Sequence, residues 1–165
     1  MYSYNDFPST PGYYLLILKV RKETIIHTRG KRTFSLKPGI YFYIGSARGP
    51  GGLRARLYRH FKNNKNKLFW HIDFLTTHKN TDIIGYIAIT LHKDKDLENI
   101  LSNIMKNYLK TIPGFGCSDK REDESHLFYC GETIVKCLST IFTVLSSIQN
   151  KDIDYTINIL TPTNI

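Results

Sequence analysis

Between Gly39 and Phe61 the chain passes through an aromatic, β-branched stretch (Ile40-Tyr41-Phe42-Tyr43-Ile44-Gly45) and a glycine-rich turn (Ser46-Ala47-Arg48-Gly49-Pro50-Gly51-Gly52). It then enters a segment whose non-apolar positions are almost all cationic, Leu53-Arg54-Ala55-Arg56-Leu57-Tyr58-Arg59-His60-Phe61. Strand, turn and helix in that order present Tyr, Arg and His to a phosphate. Arginine forks two parallel N–H bonds onto phosphate oxygens, where lysine offers a point charge. Arg56 and His60 lie four apart and so share one helix face. Gly45, Gly49, Gly51 and Gly52 let the backbone come close to a ligand, and their amides lead into a helix N-terminus suited to an anion.

Composition narrows the partner. The 165 residues carry 23 Lys and Arg against 14 Asp and Glu, a net charge of +9 with a pI near 9.5. A basic background alone would give such a balance, so its distribution decides. From Leu53 to Lys67 there are six Lys or Arg, with His60 and no acid, while most acids fall after position 93. A clustered excess of this kind favours a polyanion such as nucleic acid. No run approaches the roughly 20 apolar residues of a membrane span, and no apolar stretch of signal-peptide length precedes Pro11. The expected partner set therefore excludes membrane. Three cysteines, Cys117, Cys130 and Cys137, lack paired spacing, which fits a reducing cytoplasm.

One domain is expected from this length and from an apolar content of 41%. Residues 1–11 read as a loose lead-in. Gly12 to Val20 is a nearly continuous apolar run, a strand buried on both faces at the centre of a sheet. The charged break Arg21-Lys22-Glu23 and the β-rich Thr24 to His27 suggest a hairpin back from that strand. Lys37-Pro38-Gly39 punctuates the next strand, Ile40 to Gly45. In the following helix Leu53, Leu57 and Phe61 face the core, Arg56 and His60 border them half buried, and Arg54 and Arg59 point outward. Trp70 to Leu75 forms a short helix or turn before a strand at Ile83 to Leu91. Leu97, Ile100, Leu101, Ile104, Met105 and Tyr108 trace a second amphipathic helix, opened by Asp94 or Asp96, with Glu98 at the edge of its apolar stripe. A turn at Pro113 to Asp119, a strand at Leu127 to Cys130, a helix at Thr133 to Ser147 and a strand near Tyr155 to Leu160 follow. The class is α/β, a small mixed, largely antiparallel central sheet flanked by helices.

Taken in order, Gly12-Tyr13-Tyr14, Tyr43-Ile44-Gly45, Arg56, His60 and Glu98 resemble the motifs of the GIY-YIG nuclease superfamily. The likeness is closest to the Uri-type branch, small prokaryotic domains that occur alone or fused to endonuclease III-like DNA glycosylases. That branch is also similar at Gly45-Ser46-Ala47, Gly49-Pro50-Gly51-Gly52-Leu53, Trp70-His71-Ile72-Asp73, and Phe115-Gly116 through Ser118-Asp119 to Ser125-His126-Leu127-Phe128-Tyr129. Two departures stand out. The first motif reads Gly-Tyr-Tyr and lies farther from Tyr-Ile-Gly than in homing endonucleases, and the branch's cysteines after Ser-Asp are replaced by Lys120-Arg121-Glu122-Asp123.

The resemblance implies a metal-dependent endonuclease acting on DNA phosphodiester bonds, in repair or recombination, with a DNA glycosylase or other repair protein as a further partner. Glu98 would hold one divalent cation, Mg²⁺ or alternatively Mn²⁺. Arg56 would grip the non-bridging phosphate oxygens and Tyr14 would orient or deprotonate the water, with Tyr43 and His60 binding phosphate or tuning that phenol. Gly45, Ser46, Arg48, Arg54, Arg59, Lys62 and His71 would contact nucleic acid. Asp73, Asp119, Ser125 and His126 would stand behind these groups or touch substrate. Each residue alone has a plainer role: Tyr14 and Tyr43 as core residues, Arg56 as a solvated charge, Glu98 as a first-turn anion, and His71, Asp73, Asp119, Ser125 and His126 as caps or buried hydrogen bonds. The rival readings are a non-catalytic nucleic-acid binding module and an RNA-directed nuclease, the latter ranked lower because no RNA-stacking motif is visible. A zinc site at Cys117, His126 and Cys130 lacks a Cys-x-x-Cys pair and a fourth ligand. No serine sits at a nucleophile elbow.

Overall fold

The computed structural model describes residues 3–62, 65–91, 96–116, 124–148 and 153–159. Alternation along the central strands sorts their side chains into two layers, as the pleat requires. Strand β1 (Gly12–Val20) lies between β4 (Gly39–Ala47) and β5 (Thr81–Leu91), the central position its apolar run predicts. With β6 (Lys110–Thr111), β7 (Leu127–Gly131) and β8 (Ile153–Ile159) they form a six-stranded sheet in the order β6-β7-β4-β1-β5-β8. Every pairing in it is antiparallel. Tyr14, Leu16 and Leu18 turn to the layer of α1 (Gly52–Phe61) and α2 (His71–Thr76), joined there by Leu53, Leu57, Ile72 and Leu75. Tyr13, Leu15 and Ile17 turn to the layer of α3 (Leu97–Met105) and α4 (Ile134–Ser147), against Leu101, Met105, Ile141 and Val144. Among the described residues no helix is long and apolar enough to cross a membrane.

Several details differ from the sequence reading. The segment at Thr24–His27 (β2) pairs with Thr33–Leu36 (β3), not with β1, and the two form a separate hairpin. Its inward residues, Ile26, Phe34 and Leu36, pack into the α1 layer, so burial of that face rather than proximity to β1 fixes the pairing. The lead-in is docked rather than loose. Phe7 is buried against Phe61 and Tyr86, and its carbonyl accepts from Arg54 Nε at 3.0 Å. The apolar stripe of α3 stops at Met105, because the chain then turns to bury Leu109 and leaves Tyr108 half exposed. Asp96 caps this helix by accepting from the Asn99 amide at 3.5 Å; Asp94 lies outside the described residues. Cys130 on β7 and Cys137 on α4 are joined as a disulfide, a strand-to-helix pairing that sequence spacing does not show. The pairing removes Cys130 from the imagined zinc set; Cys117 lies outside the described residues.

Candidate active site

Tyr14 on β1 stands opposite Gly45 on β4. A Cβ at Gly45 would overlap the Tyr14 ring, so the glycine is needed for the ring to cross its neighbouring strand rather than for an approach of DNA alone. Tyr43, two residues earlier on β4, shares that sheet face. Above them α1 delivers His60, whose buried Nε2 lies 2.7 Å from the Tyr14 hydroxyl oxygen. Burial, helped by the cations Lys65, Arg59 and Arg56 and opposed by Asp73, pushes His60 down to about 3. Burial likewise raises Tyr14 well above an ordinary phenol, with Glu98 and Asp73 adding to the rise and Arg56 pulling against it. Tyr43 is raised in the same way, by burial and by Tyr14, Glu98 and Asp73. At neutral pH both partners of the close pair are therefore uncharged. The Tyr14 hydroxyl and His60 Nε2 share one hydrogen bond, whose direction follows the imidazole tautomer, and Nδ1 has no hydrogen-bond partner among the described residues.

Glu98 arrives from the other layer. Strand β7 pairs with β4 only from Ile40 to Tyr43, and past that point the β7 side of β4 meets the loop, where the Ile44 amide donates to the His126 carbonyl at 2.9 Å. Glu98 in the first turn of α3 and His126 just before β7 line the same cavity as Tyr14 and Tyr43. His126 is fixed further by its own amide, which donates to the Phe115 carbonyl at 2.8 Å. Its Nδ1 lies 3.6 Å from Glu98 Oε1. The result is one cavity of about 180 Å³ lined by Tyr14, Tyr43, Gly45, Ser46, Arg56, His60, Trp70, Glu98, Gly116 and His126. All five residues expected to be catalytic line it, and Glu98 is the one acid among its described lining residues.

Residues 13–147 match the family model described as "Domain of unknown function DUF123". The chain belongs to that family. No curated protein and no solved structure matches it. The matched stretch includes every residue of the cavity and stops before β8.

Other expected site residues of this DUF123 domain are placed elsewhere. Asp73 is fully buried and accepts from the Phe69 and Trp70 amides, from Arg59 at 2.7 Å and from Lys65 at 2.9 Å. Burial would push its carboxyl up, but these donors hold it down at about 2. Asp73 therefore organises the start of α2, and Arg59 is tied to it instead of standing free for phosphate. The Ser125 hydroxyl bonds the Ile112 and Leu127 carbonyls at 2.6 and 2.9 Å, a buried loop tie. His71 Nδ1 accepts from the Gly116 amide at 3.0 Å and its ring packs on Phe34 and Phe115 outside the cavity lining. Arg48, Arg54 and Lys62 also lie outside that lining; Arg48 is exposed near the Tyr13 hydroxyl, and Lys62 is exposed beside the Tyr58 ring. Asp119 lies outside the described residues. The first turn of α1 is no open anion cradle, since the Leu53 amide donates to the Thr10 carbonyl at 3.0 Å and a Cβ at Gly52 would press on that same oxygen. Trp70, which lines the cavity and lies 4.5 Å from the Arg56 guanidinium, was not among the expected site residues. Its signal in the sequence is the adjacent aromatic pair Phe69-Trp70 just beyond the basic segment.

Proposed function

We propose that this DUF123 domain is a metal-dependent endonuclease that hydrolyses DNA phosphodiester bonds, in the manner of the GIY-YIG nucleases it resembles. The observation that carries the reading is the meeting of Tyr14, Tyr43, Arg56, His60 and Glu98, drawn from two layers of the fold, on one cavity. Among the described residues no group of three or more His, Cys, Asp or Glu forms a metal set. A single lining carboxylate suits Mg²⁺, which binds through one or two carboxylates, waters and substrate phosphate; Mn²⁺ suits the same oxygen donors. Held by Glu98, such an ion supplies charge neutralisation at the phosphate and a more acidic water.

The chain's own groups divide the remaining work. Arg56 binds the non-bridging oxygens and is aimed at the charge that grows in the transition state, a preorganised contact whose loss costs on the order of a hundredfold in rate. Tyr14 positions the attacking water. Its hydroxyl is held in place by the hydrogen bond to His60 Nε2. Arg56 is also the group that pulls the Tyr14 phenol toward ionisation, so phosphate gripping and base activation are coupled through one guanidinium. Tyr43 and His126 border the same space and steady the phosphate and Glu98. The cellular setting we infer is DNA repair or recombination beside a DNA glycosylase, a reading that rests on the fusions of the resembled branch.

The test is cleavage of plasmid, single-stranded, branched and lesion-bearing DNA with and without Mg²⁺ or Mn²⁺, with Glu98→Ala in parallel and matched RNA substrates beside the DNA. Wild type is expected to cut DNA only with the ion, and Glu98→Ala to lose cutting while keeping salt-sensitive binding. Binding without any ion-dependent cleavage by wild type would favour the non-catalytic nucleic-acid module instead.

A further inference from the structure

At the rim of the cavity two aromatic rings are held out to solvent. Trp70 is 38% exposed and Phe69 58%, and their rings meet edge to face at 5.5 Å between centroids. Neither belongs to the two core clusters, so apolar burial does not account for them. Yet they are firmly placed. Both of their amides donate to Asp73 Oδ2, at 3.0 and 3.1 Å, and that oxygen also receives Arg59 at 2.7 Å. The Arg56 and Arg59 guanidinium groups lie 4.5 and 4.9 Å from the Trp70 ring centroid. A buried carboxylate thus fixes an exposed indole beside the arginine that lines the cavity.

We propose that Trp70, supported by Phe69, is a stacking platform for an unpaired nucleobase next to the phosphate in the cavity, which makes the substrate DNA with a single-stranded or extruded nucleotide at the cut. The proposal rests on the nuclease reading for what the cavity holds. Aromatic side chains stack on any base because every base has a π-face, and arginines beside them follow the backbone charge. In an intact duplex those faces are covered by neighbouring bases, so only an unpaired or flipped base offers one. The ring and the cavity lining are continuous through Trp70 itself, which puts base and phosphate within one nucleotide.

Trp70 is the chain's single tryptophan, so its emission reports stacking directly. Wild-type protein in EDTA, where no cleavage intervenes, is titrated with a short single-stranded DNA, a blunt duplex of the same sequence, the matching RNA strand, and a base-free deoxyribose-phosphate strand of equal length. The single strand is expected to quench the emission, and the duplex and base-free strand to bind without quenching. By anisotropy of labelled strands, Trp70→Ala should weaken binding of the base-bearing DNA on the order of tenfold and leave the base-free strand unchanged, with Trp70→Phe recovering part of the loss. Equal quenching by the duplex or base-free strand, quenching by RNA alone, or an equal loss of affinity for both strands in Trp70→Ala would overturn the proposal. Base-dependent quenching in a protein that cuts nothing with Mg²⁺ would uphold the platform and overturn the nuclease reading, so the two fail separately.

Discussion

The two faces of one sheet are covered in different ways. Against α3 and α4, the strands present Tyr13, Leu15, Ile17, Phe42 and Ile44, met by Leu97, Leu101, Met105, Cys137, Ile141 and Val144, an almost wholly apolar layer. Against α1 and α2 the same strands place Tyr14 and Tyr43, and beneath the helices lie His60, Asp73 and the Lys65 ammonium. Burying a polar group is unfavourable unless it is paired, and an ion more so. The α3/α4 face shows that this sheet is covered well without such groups. Those on the α1/α2 face therefore divide into two kinds: a charge cluster around Asp73 that braces the rim, and a neutral pair, Tyr14 with His60, that opens on the cavity.

The strongest way to break this contrast is to remove the brace. In Asp73→Ala the Lys65 side chain, 1% exposed, and Arg59 lose their counter-charge, and two amides lose their acceptor. Removing one partner of a buried ion pair costs about 3–5 kcal/mol, to be read from denaturant unfolding. The pH dependence has a definite sign. The folded state holds Asp73 down at about 2 against an ordinary 3.8, so its stabilisation is in force above about pH 4 and drains as the pH falls toward 2. Asp73→Asn should flatten the stability curve in that window. On the apolar face Leu101→Ala is expected to cost about 2–5 kcal/mol while leaving the salt dependence of DNA binding unchanged. A loss of binding in the folded Leu101→Ala protein would show that the faces are not separable.

What the sequence revealed follows the same division. Local regularities were legible: the continuous apolar run of β1, the Leu53-Leu57 stripe of α1, and Arg56 and His60 on one helical face all stand as read. The ordered motif also brought together five residues that do line one cavity. Long-range facts were not legible. Glu98 sits in a helix whose apolar stripe belongs to the opposite layer, yet it lines the cavity with Tyr14 and Tyr43. Asp73 looks like any first-turn acid until Arg59 and Lys65 fold back on it, and Trp70 becomes part of the site only through its packing against α1. The pairing of β2 with β3 and the Cys130–Cys137 disulfide likewise depend on which surfaces the rest of the chain offers.

A smaller change sharpens the contrast at the neutral pair. Gly45→Ala forces a methyl group into the Tyr14 ring. Overpacking of this kind costs about 1–3 kcal/mol, and the displaced ring lengthens the bond to His60. Cleavage should fall much further than stability does, since misplacing a reacting group by about 1 Å already costs on the order of a hundredfold. If unfolding free energy and activity fell in proportion, Tyr14 would be a core residue whose hydroxyl happens to face a histidine.

The smallest expected change in stability, and the sharpest division, belongs to Glu98→Gln. Glu98 and Asp73 are both acids in the first turn of a helix, yet Asp73 is sealed among donors while Glu98 borders the cavity with 14% of its side chain exposed. Glutamine keeps the shape and removes the charge, so if Glu98 serves chemistry the unfolding free energy should stay within about 1 kcal/mol of wild type, as at positions with no bracing role. Residues retained for activity often sit at some expense to stability, and a slight gain would agree with that. Ion-dependent cleavage should disappear in the same protein. A loss of stability approaching that of Asp73→Ala would instead place Glu98 in the bracing set, and the distinction between the charges that hold this face together and those that work at its surface would fail at its central residue.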